Sequence, residues 1–348
     1  MRLKSVQSTL QSLLPTKQPV ILWGPPGIGK SQIIAQTAKA MGIDLIDVRA
    51  VLLDPVDLRG LPHVENGVAN WATPGFLPKQ GTKKAGILLL DEIDKAPPLV
   101  QNACLQLTLD RMIGEYVLPD NWYVMAAANR IQDGAGGHKM GTALSSRFLH
   151  LDVEVRKDDW LEWAMNAGIH GSILGYVQMR GEDVLHPHKE NKDGKRKLTT
   201  AQDRTFPCPR TWEFVSRVVD KVPQESVREV VAGCIGSATT AEYLNFLDTY
   251  RSLPDPEALL RDPDNAVMPE EPHVLYALTG FLTEKINDAD DDTIKRIVKL
   301  LRKMRRENAM HGVMECVSRS ARIVKSSEMT NWLQEDEKMT QMILGSAS

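Results

Sequence analysis

The chain has 348 residues, of which 42% are hydrophobic and 25% are charged, a composition typical of soluble globular proteins. A formal net charge of −3 excludes a general electrostatic attraction to nucleic acids or anionic membranes. The cysteines, Cys104, Cys208, Cys234 and Cys316, lie far apart, so they form no metal-type pairs and predict reduced thiols. With no signal peptide or apolar stretch of membrane-spanning length, we expect a cytoplasmic protein with no membrane span.

The first motif that carries chemistry follows a short apolar segment. Residues 20–23 predict a buried strand, and a helical pattern begins at 30 and continues to 41. Between them the sequence reads Gly-x-x-x-x-Gly-Lys-Ser, which is typical of a phosphate-binding loop, whereas an ordinary glycine-rich turn would predict no further motif. Glycines there let backbone amides turn toward phosphates at a helix N-terminus. We predict nucleotide binding by Gly24, Pro25, Pro26, Gly27, Ile28, Gly29, Lys30 and Ser31.

Two acidic residues follow a further buried strand. Residues 44–49 predict the second strand, and the apolar run at 87–90 predicts a third that is buried on both faces of a parallel sheet. Asp91 and Glu92 come directly after it, at the strand end where α/β sheets place ligands. An acidic pair in this position could also cap a helix, but the phosphate-binding loop favours a catalytic role. Asp91 is expected to share Mg²⁺ with Ser31, and Glu92 to polarise the attacking water.

The last two predicted strands, at 122–127 and 148–153, introduce further polar candidates. Asn129 follows the first of them and is placed to bind the attacking water and a γ-phosphate oxygen. Arg147 directly precedes the second, and its permanently charged guanidinium suits a transition-state phosphoryl group. Arg210 lies at a helix N-terminus opened by proline, where an arginine gains nothing from the helix dipole. Its position therefore favours binding of an anion.

The rest of the chain is predicted to be helical. The first half also carries helices near 97–109 and 141–146, and from about residue 156 the pattern is wholly helical. Amphipathic segments continue at 239–250, 273–286, 292–306 and 309–324. Acids precede the third of these and bases run along it, which predicts either a solvated helix that complements its dipole or a face that binds nucleic acid. We expect domains at 1–155, 156–240 and 241–348.

The order and spacing of these motifs resemble those of the AAA+ ATPases, and within them the MoxR-like family with a helix-2 insert. The segments at 24–31 and 88–92 match the Walker A and Walker B motifs of that family. Asn129, Arg147 and Arg210 fall at its sensor-1, arginine-finger and sensor-2 positions.

Two further segments carry the resemblance to the subfamily. Residues 91–98, Asp-Glu-Ile-Asp-Lys-Ala-Pro-Pro, are similar to the DEINRAPP stretch of MoxR proteins, but Asp94 and Lys95 stand where that family has Asn and Arg. Residues 54–60 resemble the stretch that opens the helix-2 insert, so 59–81 is expected to be the insert.

The resemblance implies an α/β P-loop NTPase with a parallel five-stranded sheet of order 5-1-4-3-2, followed by an all-α lid and a helical C-terminal extension. It implies ATP hydrolysis with Mg²⁺, and a ring, most simply a hexamer, in which Arg147 serves a neighbouring subunit. Whether Arg210 acts on its own nucleotide or a neighbour's stays open. A chaperone-like motor acting on a protein client, with a partner bearing a von Willebrand factor A domain, is the leading function. The alternatives are a nucleic-acid-associated loader or restriction-type motor, and a scaffold that binds ATP without turnover.

Overall fold

The structure is a computed structural model that describes residues 1–133, 140–186, 189–190, 196–197, 204–251, 256–269, 272–286, 288–336 and 340. The chain divides into two compact units. The first comprises Met1–Asp159, His186–Lys197 and Cys208–Arg210, and the second comprises Trp160–Leu185, Leu198–Pro207 and Thr211–Ser348. Residues on both sides of position 240 fall within the second unit, and the domain boundary expected there stays a prediction.

A five-stranded parallel sheet forms the centre of the first unit. Its strands are β1 Val20–Trp23, β2 Asp44–Arg49, β3 Gly86–Asp91, β4 Trp122–Ala128 and β5 Leu149–Asp152. Strand β1 pairs with β4 on one side and β5 on the other, and the complete order across the sheet is β5-β1-β4-β3-β2. This is the predicted order 5-1-4-3-2. Both faces of β3 and β4 are buried, as expected for a parallel sheet covered by helices.

Helices cover this sheet and connect its strands. They are α1 Leu3–Leu13, α2 Lys30–Met41, α3 Pro55–Arg59, α4 Pro98–Leu109 and α5 Thr142–Ser145. Helix α4 starts with proline at its first position, which needs no backbone donor there, and it buries Val100, Cys104 and Leu107 in the core. Helices α3 and α5 both pack against α4. The predicted helices at 30–41, 97–109 and 141–146 are therefore present within one residue at each end.

The expected insert at 59–81 contains an antiparallel hairpin. Its strands are Leu61–Glu65 and Val68–Ala72, and their described side chains are mostly exposed. Of the two aromatic residues in the segment, Trp71 stays exposed while Phe76 packs against the core of the first unit. One end of the insert is thus anchored in the core and the hairpin itself is not.

The second unit is mainly helical. Its helices are α6 Lys157–Asn166, α7 Gly171–Arg180, α8 Pro209–Val218, α9 Val227–Ile235, α10 Ser237–Arg251, α11 Pro256–Arg261, α12 Pro272–Lys285, α13 Asp291–Lys303, α14 Arg306–Arg319 and α15 Ser327–Glu335, of which α6 and α8 begin in the first unit. The aromatic rings of Tyr176, Trp212 and Tyr243 pack in tilted and edge-to-face contacts and fill one part of its core. Aliphatic residues from α11 to α15 fill another part. No helix in the described ranges has the length and hydropathy of a membrane span.

Four basic residues of α13 are engaged within their own unit, namely Arg296, Lys299, Arg302 and Lys303. Lys299 lies 3.0 Å from a carboxylate oxygen of Asp264, and Arg302 is paired with Glu335. At the front of the helix the Asp290 side chain accepts a hydrogen bond from the backbone N–H of Thr293 at 2.8 Å. This arrangement of a capped, internally paired helix agrees with the solvated-helix interpretation of its charge pattern.

We expect Gly86→Ala to destabilise the first unit by about 1–3 kcal/mol through overpacking. Gly86 lies opposite Trp122 in the sheet register, and a Cβ at position 86 would lie 2.5–2.7 Å from that indole ring. The ring cannot easily withdraw, because its Nε1 donates to the Lys84 carbonyl at 3.0 Å. Thermal unfolding measures the effect. Gly75→Ala is the control, since a Cβ there meets nothing within 4 Å, and equal melting temperatures of the two variants would contradict the packing account.

Candidate active site

The loop between β1 and α2 has the backbone that a phosphate-binding loop needs. Gly27 and Gly29 have φ angles of +77° and +95°, which side-chain-bearing residues rarely adopt. Gly24 lies so close to the segment that follows β5 that an added Cβ would be 2.8 Å from the Val153 carbonyl oxygen. These glycines therefore fix the course of the loop, and α2 begins directly after it at Lys30.

Lys30 connects the loop to the carboxyl end of β4. Its ammonium donates hydrogen bonds to the carbonyls of Gly24 and Pro25 at 2.8 and 2.9 Å, and to Oδ1 of Asn129 at 2.8 Å. The side chains of Lys30 and Asn129 are both buried. Burial lowers the pKa of Lys30 to about 8, because the charged form loses its hydration, while nearby carboxylates oppose the shift only in part. Burial thus destabilises the charged form of Lys30, and a phosphate could replace the acceptors that now bind its ammonium.

Ser31 and Asp91 meet at the same edge of the sheet. The Ser31 hydroxyl donates to Oδ2 of Asp91 at 2.8 Å, and Oδ1 of Asp91 accepts the backbone N–H of Glu92 at 2.9 Å. A hydroxyl and a carboxylate are the hard oxygen ligands that Mg²⁺ takes beside nucleotide phosphates, so the two residues fit that ion. Among the described residues, no group of three or more His, Cys, Asp or Glu side chains is arranged to hold a metal ion.

Glu92 is held by its backbone and by one ion pair. Its φ of +54° is unusual for a residue with a side chain, and such strained positions concentrate at functional sites. Its Oε1 lies 3.3 Å from the ammonium of Lys95. The carboxylate is partly exposed and adjacent to Asp91, where a water could reach it.

Arg210 lies against the same loop. Its backbone N–H donates to the Gly27 carbonyl at 3.2 Å, and a Cβ on Gly27 would lie 2.7 Å from Sγ of Cys208. The charge of Arg210 also contributes to the lowered pKa of Lys30, so the two cations share one neighbourhood. Segment 208–210 therefore adjoins the loop of its own chain.

Arg147 is not part of this cluster. In the parallel register Val20 faces Leu149 and Trp23 faces Asp152, so Arg147 is level with residues that precede β1, whereas the loop follows β1. A separation of about six strand residues corresponds to roughly 20 Å, which an arginine side chain does not span. Its Nη1 donates to the Ala143 carbonyl, and its Nε is buried without a hydrogen-bond partner.

Asp94 is a buried acid beside the site that the motif analysis did not assign. It is 1% exposed, and neither of its carboxylate oxygens has a hydrogen-bond partner. Burial raises the pKa of Asp94, and the Asn129 backbone amide, Lys95 and Lys30 offset only part of that cost. The only feature of the sequence that marked Asp94 is that it stands where the DEINRAPP stretch of MoxR proteins has asparagine.

Comparison with known proteins agrees with this geometry. A family profile described as the AAA domain of the dynein-related subfamily matches residues 19–148. A stretch of 149 residues, 41% of the chain, is 30% identical to the chaperone MoxR1 of Mycobacterium tuberculosis. Residues 19–148 therefore form an AAA+ domain, which is similar to that of MoxR1.

Other similarities extend the comparison of the AAA+ domain. A stretch of 174 residues, 46% of the chain, is 30% identical to midasin of Giardia intestinalis. The aligned stretches amount to 4% of midasin and 38% of MoxR1, so the chain corresponds to less than half of either relative. The RuvB Holliday junction branch migration motor of Thermotoga maritima is 17% identical, with 80% of each chain covered and a TM-score of 0.37. A superposition that loose carries no argument about function.

We expect Asp94→Asn to raise the free energy of unfolding by about 1–3 kcal/mol at neutral pH, because it removes a buried charge that its surroundings compensate only in part. The folded-state pKa is raised, so the wild-type protein is penalised above the ordinary carboxyl pKa and not below it. The gain should therefore be largest at neutral pH and disappear in acid. Thermal unfolding between pH 4 and 8 measures it, with the exposed Glu115→Gln as control. A gain that is independent of pH would contradict this account.

Proposed function

We propose that the protein is an ATP-hydrolysing, ring-forming AAA+ motor that remodels or activates a protein client. One observation carries the enzymatic part of this proposal. Two hydrogen-bonded pairs, Lys30 with Asn129 and Ser31 with Asp91, lie at the carboxyl ends of β1, β3 and β4, and Glu92 adjoins Asp91. A scaffold that only binds nucleotide has no need of Glu92, and its presence favours turnover.

The cluster suggests how the nucleotide is bound. Amides of the glycine-rich loop receive the phosphates, and Lys30 exchanges its contacts with the Gly24 and Pro25 carbonyls for the β- and γ-phosphates. Ser31 and Asp91 would hold Mg²⁺, which neutralises phosphate charge when bound. Release of Asn129 from Lys30 frees its side chain for the γ-phosphate and the attacking water.

Glu92 is the general base of this proposal. It accepts a proton from the water that attacks the γ-phosphate, and such a base contributes about 10²–10⁴ in rate. Its ion pair with Lys95 holds the carboxylate near Asp91 until the water is in place.

The two arginines act on different nucleotides in this proposal. Arg210 adjoins the loop of its own chain, which supports a role in cis as a reporter of the γ-phosphate. Arg147 lies at the amino ends of the strands, too far from its own loop, which supports a role in trans in a ring such as a hexamer. An arginine supplied by a neighbour is worth about 10³–10⁵ in rate.

Lys30→Ala should abolish nucleotide binding, whereas Glu92→Gln should keep binding and lower hydrolysis by about 10²–10⁴. The measurements are the nucleotide-induced rise in stability, about 2.7 kcal/mol at 100 times the Kd, and phosphate release. Lys39→Ala, an exposed lysine on the same helix α2, is the control and should behave as wild type. If Lys30→Ala still bound ATP, or Glu92→Gln hydrolysed it at the wild-type rate, the assignment of the site would be wrong.

A protein client is favoured over nucleic acid. MoxR1 is named as a chaperone. Three basic residues of α13 that could have met DNA are paired with acids, namely Arg296, Lys299 and Arg302. Glu92→Gln, which holds the ATP state, should retain a partner with a von Willebrand factor A domain in pull-downs, and Lys30→Ala should not. Duplex DNA should leave the ATPase rate unchanged. Stimulation by DNA that weakens steeply with salt would instead support the loader or restriction-type motor.

A further inference from the structure

A surface pocket of the first unit brings together two arginines from distant parts of the sequence. It has a volume of about 310 Å³ and lies along α4. Arg59, the last residue of α3, and Arg147, which follows α5, both line it, and both short helices pack against α4. The sequence motifs had given Arg59 no role beyond its place at the start of the insert.

The two arginines of this pocket are not paired with carboxylates. Among the described residues neither Arg59 nor Arg147 forms an ion pair, and Asp110 also lines the pocket. Nε of Arg147 is shielded from solvent and has no acceptor. Guanidinium groups stay charged at any physiological pH, and their planar arrays of donors match phosphate oxygens. Two of them on one small pocket favour a multiply charged anion.

The chain's own nucleotide cannot supply that anion to Arg147, because the register of β1 and β5 separates it from its own loop by roughly 20 Å. In the proposed ring, the phosphates bound by a second copy would supply that anion. We propose that Arg59 acts together with Arg147 as a two-arginine clamp on the γ-phosphate of ATP bound by the neighbouring subunit. This inference rests on the proposed function and adds a second transition-state contact to it.

The clamp predicts how substitutions of Arg59 change the rate of ATP hydrolysis. Each charge-assisted contact to the phosphoryl group is expected to change the rate, and the loss of Arg59 should lower kcat of assembled rings by about 10- to 100-fold. Arg59→Lys keeps the charge and loses the planar fork, so its rate should lie between those of wild type and Arg59→Ala. Lys79→Ala, which removes an exposed cation from the same insert, should leave kcat unchanged.

The experiment measures ATPase rates at saturating ATP for wild type, Arg59→Ala, Arg59→Lys, Arg147→Ala and Lys79→Ala, with ring mass followed by mass photometry. In a second arm, Arg59→Ala subunits are mixed with Lys30→Ala subunits. The first variant keeps its nucleotide site and the second keeps its arginines. About one interface in four of an equal mixture then combines two intact halves, so activity should rise well above that of either variant alone.

The outcomes separate this inference from the function on which it rests. If wild-type rings do not hydrolyse ATP, or Lys30→Ala is as active as wild type, the proposed function fails. If Arg147→Ala loses activity while Arg59→Ala rings of normal mass keep the wild-type kcat, the clamp is wrong and the motor stands. The clamp is also overturned if Arg59→Ala loses activity and mixing does not restore it. It is likewise overturned if Arg59→Ala impairs ring assembly equally with and without nucleotide.

Discussion

The parallel pairing of β1 with β4 on one side and β5 on the other decides where each charged group of the site can lie. Because all five strands run in one direction, the residues that follow β1, β3 and β4 meet at one edge of the sheet. Residues that precede β5 lie at the opposite edge. Lys30, Asp91 and Asn129 are thereby brought into contact, and Arg147 is directed away from them. The topology therefore separates Arg147 from the other predicted site residues of its own chain.

The polar side chains of the site form hydrogen bonds with one another and with the loop. Lys30 has three acceptors, and the Ser31 hydroxyl has Asp91. A phosphate must displace these contacts, so part of its binding energy is used to break them. Burial disfavours the charge of Lys30, and an anionic phosphate would stabilise that charge more than the neutral carbonyls do. Asp94 adds an unpaired carboxylate a short distance away and costs stability in the same region.

Local patterns were sufficient for the strands and for the main motifs. The run at 87–90 and the glycine-rich loop depend on neighbouring residues alone, and the structure has the strand and the loop where they were expected. The position of Arg210 beside Gly27 joins segments far apart in the sequence, and no periodicity reports it. The meeting of Arg59 with Arg147 likewise depends on how α3 and α5 pack on α4. Burial of Asp94 could be read only from packing, because an acid after a strand is ordinarily exposed.

The central claim is that hydrolysis needs a second subunit. The most direct test measures the ATPase rate per subunit against protein concentration while mass photometry follows assembly. The account predicts negligible activity for monomers and a cooperative rise that coincides with ring formation, because Arg147 lies too far from its own loop and is proposed to act on a neighbour's nucleotide. A rate per subunit that is constant from dilute monomer to assembled ring would contradict it.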